Sequence, residues 1–243
     1  MHIFTMPTML ASPIRKLAVG VLAVVALLAA PSAATSAGNI VVLGARSGST
    51  LTLSVRHGAI VVRGNMAHGN LVGCRFTVRH RAAACPTSRA SAIEVEMGGS
   101  GDFVRVEERL PVPLVVHLGG GSDKFIGNGE RDTCYGGGSR RNRCVGGPGN
   151  DICITGNRNS DCVGGPGDDY CRHGDGSDGC WGGPGDDVCV MGPGEDGCHG
   201  GPGNDRLYGG AGADQLYGGP GNDYCDGGPG RGKSHGCERG PRH

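Results

Sequence analysis

The sequence predicts an all-β solenoid built from short strands and tight turns, and three observations carry that prediction. Of the 243 residues 50 are Gly, aromatic residues make only 4 %, and a nine-residue unit recurs with little interruption from about Gly127 onward. So many Gly impose a large backbone-entropy cost on folding, and so few aromatics leave little apolar area to offset it. A thick enzyme-like core is therefore excluded, which leaves either a disordered Gly-rich polymer or a repeat fold that demands Gly at fixed turn positions, and the phased nonapeptides favour the repeat fold. Basic and acidic side chains balance at 23 each, so no overall field points to nucleic acid or to an anionic membrane surface.

Residues 1–37 stand apart. Arg15 and Lys16 precede an apolar run from Leu17 to Ala30, and small residues follow through Ala37. This is the order of a secretory signal peptide, with cleavage expected after Ala37. An apolar run of about 14 residues is short for a bilayer span, so no membrane insertion is expected. The mature chain is expected to be secreted and extracellular. All 12 Cys lie after the segment, which suits an oxidising compartment.

Residues 38–117 read as a β-rich N-terminal cap of irregular layout. Ile40–Leu43, Leu51–Val55, Ala59–Val62, Arg75–Val78, Ile93–Glu96, Phe103–Val106 and Leu114–Val116 are β-branched or alternating runs separated by Gly, Asn and Pro. Helical periodicity is absent. The Arg residues of this half are scattered, as on solvated strand faces. Cys74 and Cys85 bracket an Arg-rich stretch, and a local disulfide is their simplest use.

Residues 118–232 carry the repeat, and residues 233–243 form a short basic tail. The best copies are Gly-Gly-Pro-Gly-Asn-Asp-Ile-Cys-Ile (146–154), Gly-Gly-Pro-Gly-Asp-Asp-Tyr-Cys-Arg (164–172) and Gly-Gly-Pro-Gly-Asp-Asp-Val-Cys-Val (182–190). Three more follow, at 200–208, 209–217 and 218–226, and weaker ones fill the register at 127–135, 155–163, 173–181 and 191–199. Relaxed copies with one fewer Gly occupy Met97–Asp102 and Leu118–Asp123. Six residues make a turn in which Gly adopts positive φ and presents its carbonyls, and three make a strand whose middle side chain points inward. Two such units close one coil of a right-handed parallel β-roll, and turns 18 residues apart stack at roughly 4.8 Å.

The unit G-G-x-G-x-D-x-U-x, with U a large apolar residue, resembles the haemolysin-type, or RTX, calcium-binding repeat. The chain also looks like small secreted calcium-binding proteins of Gram-positive bacteria with high-GC genomes. The resemblance implies Ca²⁺ as cofactor and partner, held between stacked turns by oxygen ligands from Gly carbonyls and the sixth-position Asp. It also implies a roll that folds or gains stability with the ion. On the first edge the expected ligand groups are Gly146, Gly149 and Asp151; Gly164, Gly167 and Asp169; Gly182, Gly185 and Asp187; Gly200, Gly203 and Asp205; and Gly218, Gly221 and Asp223. Asp132 precedes them. The second edge contributes Asp178, Asp196 and Asp214, but Asn142, Ser160 and Gly232 stand where other turns have Asp. About six ions are expected, one per gap between intact turns, with four on the first edge and two on the second. Arg140, Arg141, Arg143 and Arg158 gather at the defective turns, either for solubility or so that a guanidinium replaces a missing cation beside Asp161.

Cys144, Cys153, Cys162, Cys171, Cys180, Cys189 and Cys198 follow one another at intervals of nine, all at the U position. No C-x-x-C pair exists, so zinc is not indicated. Disulfides within the roll are the better reading. Pairing across the core gives Cys134–Cys144, Cys153–Cys162, Cys171–Cys180 and Cys189–Cys198, with Cys225–Cys237 at the C-terminal end. Neighbours 18 apart on one sheet also come within bonding distance, so connectivity stays open.

Catalysis is not expected, because the mature region before the repeats is only about 80 residues long and contains neither G-x-S-x-G nor H-E-x-x-H, and the nine His of the chain show no ligand-like spacing. The expected activity is calcium binding by a secreted monomer. The alternative is an extracellular adhesion or recognition module that uses the roll as scaffold and presents outward aromatics such as Tyr170, Trp181, Tyr208, Tyr217 and Tyr224.

Overall fold

Short β-branched or Cys-centred triplets alternate with Gly-rich hexapeptides, and the chain folds accordingly into strands too short to stand alone. The computed structural model describes residues 38–43, 48–64, 75–76, 82–86, 90–138 and 140–240. The expected signal segment 1–37 and Cys74 lie outside the described residues. No helix occurs among the described residues. The strands form a parallel β-solenoid of about eight turns, as predicted.

Two sheets face each other. One has nine strands among the described residues and is parallel throughout, running from Gly38–Leu43 through Ala90–Glu96 and Leu114–His117 to Tyr224–Asp226. The other has twelve and is parallel from Lys233–His235 back to Thr50–Arg56. There an antiparallel meander of Ala59–Gly64, Ala82–Pro86 and Arg75–Phe76 is added. Both sheets run unbroken across residue 118, because Leu114–His117 pairs with Asp132–Tyr135 and Phe103–Val106 with Lys124–Ile126. Strand Ala82–Pro86 was not foreseen, since its Ala-rich sequence has little β propensity and is ordered by its partners.

Every three-residue strand of the repeat buries its middle residue and leaves its flanks outward, the pattern that period-two alternation dictates. The inward residues stack in register into two columns. Val95, Val116, Cys134, Cys153, Cys171, Cys189, Leu207 and Cys225 line the nine-stranded sheet. Leu51, Val104, Phe125, Cys144, Cys162, Cys180, Cys198 and Leu216 line the other.

The disulfides correct the expected pairing. Cys134–Cys144 and Cys225–Cys237 are bonded as anticipated. Between them the register is displaced by one Cys: Cys162 pairs with Cys171 and Cys180 with Cys189, leaving Cys153 and Cys198 as buried thiols. In a zigzag of evenly spaced Cys each residue has an equidistant neighbour on either side, so spacing alone favours neither choice. Cys85 is disulfide-bonded, and its expected partner Cys74 is not among the described residues.

Candidate metal centre

The turns between strands stack into two edges, and backbone chemistry comes first. On the first edge the N–H of the second Gly donates to the leading carbonyl of the next turn, as Gly165 to Gly182 and Gly183 to Gly200, both at 2.8 Å. The fourth-position N–H donates to the next Pro carbonyl, as Gly167 to Pro184 at 2.8 Å. Second and fourth positions both have positive φ, 125° at Gly165 and 135° at Gly167. Their carbonyls point along the roll axis at the equivalent Gly of the following turn, so that a Cβ on Gly183 or Gly185 would collide with the oxygen of Gly165 or Gly167. Gly is thus required twice over, by dihedral and by contact. The stacked hexapeptides therefore present rows of carbonyl oxygen to each inter-turn gap. Second-position carbonyls such as those of Gly147 and Gly165 were not among the expected ligand groups, although the positive φ expected for turn Gly already pointed to them.

The sixth-position Asp residues form a continuous column. Oδ1 of Asp151, Asp169 and Asp187 accepts the backbone N–H of Asp132, Asp151 and Asp169 respectively, each at 2.7 Å. Asp205 and Asp223 continue the series at 2.8 Å, and Glu238 Oε2 accepts from Asp223 at 2.8 Å. The second oxygen is different. Oδ2 of Asp151, Asp169, Asp187, Asp205 and Asp223 is buried with no hydrogen-bond partner. It lies against the leading Gly of its own turn, where a Cβ on Gly146, Gly164, Gly182 or Gly200 would collide with it. The leading Gly is therefore the space in which a carboxylate oxygen is housed.

Asp132, Asp151, Asp169, Asp187 and Asp205 resist ionisation. Desolvation, with neighbouring acids adding to it, pushes Asp169 up to about 8 and Asp132 and Asp187 up to about 7. Asp151 and Asp205 rise to about 6, also chiefly by burial.

The second edge keeps the ladder but changes its filling. Ser49 N–H donates to Asp102 Oδ1 at 2.6 Å, Asp102 to Asp123 at 2.8 Å and Asp123 to Asn142 Oδ1 at 3.0 Å. Asn142 N–H then donates to Ser160 Oγ at 3.2 Å, Ser160 to Asp178 at 2.6 Å, Asp178 to Asp196 at 2.7 Å and Asp196 to Asp214 at 3.0 Å. Asn142 and Ser160 thus retain the acceptor and discard the charge. Met97, Leu118, Thr155, His173 and Met191 occupy the leading position here and are buried, filling space that Gly leaves to the carboxylate on the first edge. Asp178 and Asp196 keep partnerless Oδ2 atoms even so, as does Asp214 behind Gly209. Burial pushes Asp178 up to about 7 and Asp196 to about 6, and raises Asp214. Asp102 and Asp123 join the same column with partnerless Oδ2 atoms. They are not among the site residues expected from sequence, although their turns keep the sixth-position Asp behind a residue other than Gly, as those of Asp178 and Asp196 do; that retained Asp is the signal that could find them.

Around the neutral rungs, Arg141 Nη2 lies 2.9 Å from Asp161 Oδ2, the pair anticipated from sequence. Asp161 begins a strand, so this pair sits beside the column and not within it. His173 Nδ1 meets Thr155 Oγ1 at 2.8 Å, and burial holds the His173 pKa down to about 4.

The donor set tests which ion these edges suit. Each gap offers carboxylate and carbonyl oxygen without nitrogen or sulfur on the first edge, and the partnerless Oδ2 atoms supply acceptors that none of the described residues satisfies. That combination fits a hard, oxygen-seeking cation such as Ca²⁺. No curated protein matches the chain. The RTX calcium-binding nonapeptide repeat matches in four copies, over residues 115–140 and 199–232. The stretch between these matches has the same turns and strands with Cys in place of Leu at the inward position. The chain is thus a β-roll that carries RTX calcium-binding nonapeptide repeats.

Proposed function

We propose that this chain is a secreted calcium-binding protein whose roll folds, or is stabilised, when Ca²⁺ is held between successive turns, with disulfides bracing its core. The ligands of the first edge would be Asp132, Asp151, Asp169, Asp187, Asp205 and Asp223. The carbonyls of Gly146, Gly149, Gly164, Gly167, Gly182, Gly185, Gly200, Gly203, Gly218 and Gly221 would join them. Asp178, Asp196 and Asp214 would serve the second edge. The observation that carries this reading is the column of buried carboxylates whose second oxygen has no partner. Bound Ca²⁺ supplies the positive charge that offsets their mutual repulsion. The protein's own part is to hold each Oδ1 on a backbone N–H, so that Oδ2 is fixed in place. RTX repeats are typically extracellular, which supports the signal-peptide reading of residues 1–37. The repeats are a binding element, and no catalytic role is assigned.

Far-UV circular dichroism of the mature, oxidised protein during a calcium titration tests the proposal. The β signal is expected to rise with calcium and fall with chelator, and more so after reduction of the disulfides. A signal indifferent to calcium in both redox states would overturn it.

One observation favours a second reading, an adhesion surface. Trp181, His199, Tyr217 and His235 stack along the outer face of the twelve-stranded sheet, with centroids 6.2, 4.6 and 5.3 Å apart. Trp181 is 43 % exposed. A glycan-array screen discriminates this reading, and a blank array would sink it.

A further inference from the structure

The cysteine row has a property that calcium binding does not use. In chain order Cys134, Cys144, Cys153, Cys162, Cys171, Cys180, Cys189 and Cys198 alternate between the two sheets. Cys134–Cys144 bridges the sheets across a second-edge turn, with Cα atoms 6.2 Å apart. Cys162–Cys171 and Cys180–Cys189 bridge them across first-edge turns, at 6.3 and 6.6 Å. Both senses of pairing thus fit the same core at nearly the same spacing, within the range that disulfides ordinarily span. Each remaining thiol also sits against a disulfide. The sulfurs of Cys153, Cys162 and Cys171 all lie within 4.8 Å of one another, as do those of Cys180, Cys189 and Cys198.

We propose that these cysteines form a two-register disulfide ladder, in which thiol–disulfide exchange carries a free thiol along the roll and a small-molecule disulfide closes the last pair. Cys153 attacks Cys162 as a thiolate; the bond from Cys162 to Cys171 breaks, and Cys171 leaves as a thiolate that takes up the proton Cys153 gave up. Cys171 then attacks Cys180, forming Cys171–Cys180 and freeing Cys189. Neither step changes the oxidation state of the row. The two thiols now stand at Cys189 and Cys198, within one cluster. An external disulfide RSSR takes two electrons and two protons from them and leaves as two RSH, while Cys189–Cys198 forms.

The two registers brace different edges. With thiols at Cys153 and Cys198, disulfides close around the first-edge turns 164–169 and 182–187. In the oxidised register, Cys153–Cys162, Cys171–Cys180 and Cys189–Cys198 close around the second-edge turns 155–160, 173–178 and 191–196. An oxidant acting on Cys189 and Cys198 therefore changes how all six cysteines from Cys153 to Cys198 are bonded, while Cys134–Cys144 stays as it is.

Disulfide mapping by mass spectrometry on the full chain decides the matter. Cys198→Ser leaves one thiol in the row, and alkylation after acid quenching locates it. Label is expected at Cys171 and Cys189 as well as Cys153 after incubation at mildly alkaline pH; label confined to Cys153 overturns the proposal. Unsubstituted protein treated with oxidised glutathione is expected to lose both thiols and to show the three shifted pairs. Glutathione adducts on Cys153 and Cys198 beside intact Cys162–Cys171 and Cys180–Cys189 overturn it. A chain isolated already in the shifted register is treated with one equivalent of dithiothreitol, which must return thiols to Cys153 and Cys198. Thiols left at any other pair overturn the proposal.

Discussion

Asp187 Oδ1 accepts the backbone N–H of Asp169 at 2.7 Å, while Asp187 Oδ2 is buried with no partner. One oxygen of this carboxylate belongs to the fold and the other is left for a cation. Asp187→Asn separates the two roles, because the amide oxygen can still accept the N–H but the charge is gone. Calcium stoichiometry is expected to fall, with no loss of calcium-free stability. The calcium-free protein is expected to gain roughly 1–4 kcal/mol at neutral pH, since a buried and repelled charge has been removed. Isothermal titration calorimetry and chelated thermal melts read the two effects. Unchanged stoichiometry would remove Asp187 from the ligand set.

Acidity should substitute for calcium. Asp132, Asp169, Asp178 and Asp187 rise from 3.8 to about 7 or 8 in the folded chain. Between those values the folded state holds protons that the unfolded chain has released, so calcium-free stability falls as pH rises through that window. Chelated protein is thus expected to melt higher near pH 5 than near pH 8, and calcium binding near pH 7 is expected to release protons. Melting curves in chelator and binding enthalpies in buffers of different ionisation heat measure both. A melting temperature that rises with pH in chelator would contradict the account.

Glycines of the repeat are not equivalent. A Cβ at Gly164 collides with Asp169, whereas one at Gly197 meets nothing within 4 Å. Gly164→Ala is expected to cost about 2–4 kcal/mol and Gly197→Ala less than about 1 kcal/mol. Urea denaturation in saturating calcium compares the pair, and equal costs would mean that the carboxylate does not need the leading Gly.

Arg158 occupies the fourth turn position with φ of 129°, where the flanking second-edge turn has Gly176 at 142°. A side chain there is strained, so Arg158→Gly is expected to stabilise the roll by about 1 kcal/mol. Denaturation midpoints with and without the substitution measure it. A lower midpoint would show that the Arg158 side chain contributes more than its backbone costs.

Much of this architecture was legible because one physical rule, a turn of six and a strand of three, sets both the sequence period and the coil. Asp151 through Asp223 could be phased by counting, since Gly at the leading position is the direct imprint of the carboxylate beside it. Asp102 and Asp123 were harder. Their turns precede the phased run that begins near Gly127 and open on buried Met97 and Leu118, so neither counting nor a leading Gly marks them. The bonding of Cys153 and Cys198 was not legible at all, because equal spacing on either side makes two pairings equivalent. Glu238 joins the first-edge column from a tail that carries no repeat, so only its place in space reveals it.

The carboxylate column also has a direction. On the first edge each sixth-position N–H from Asp132 to Asp205 is answered by the Asp of the next coil toward the C-terminus, never of the previous one. A chain synthesised from its N-terminus therefore always ends, while growing, in a rung whose donor is still open to water or to a stray acceptor. Glu238 terminates that sequence by answering Asp223, and Cys237 fastens the same tail to Cys225. Cys237 and Glu238 act as the keystone of the column, and a chain truncated before Cys237 would leave the Asp223 rung unanswered.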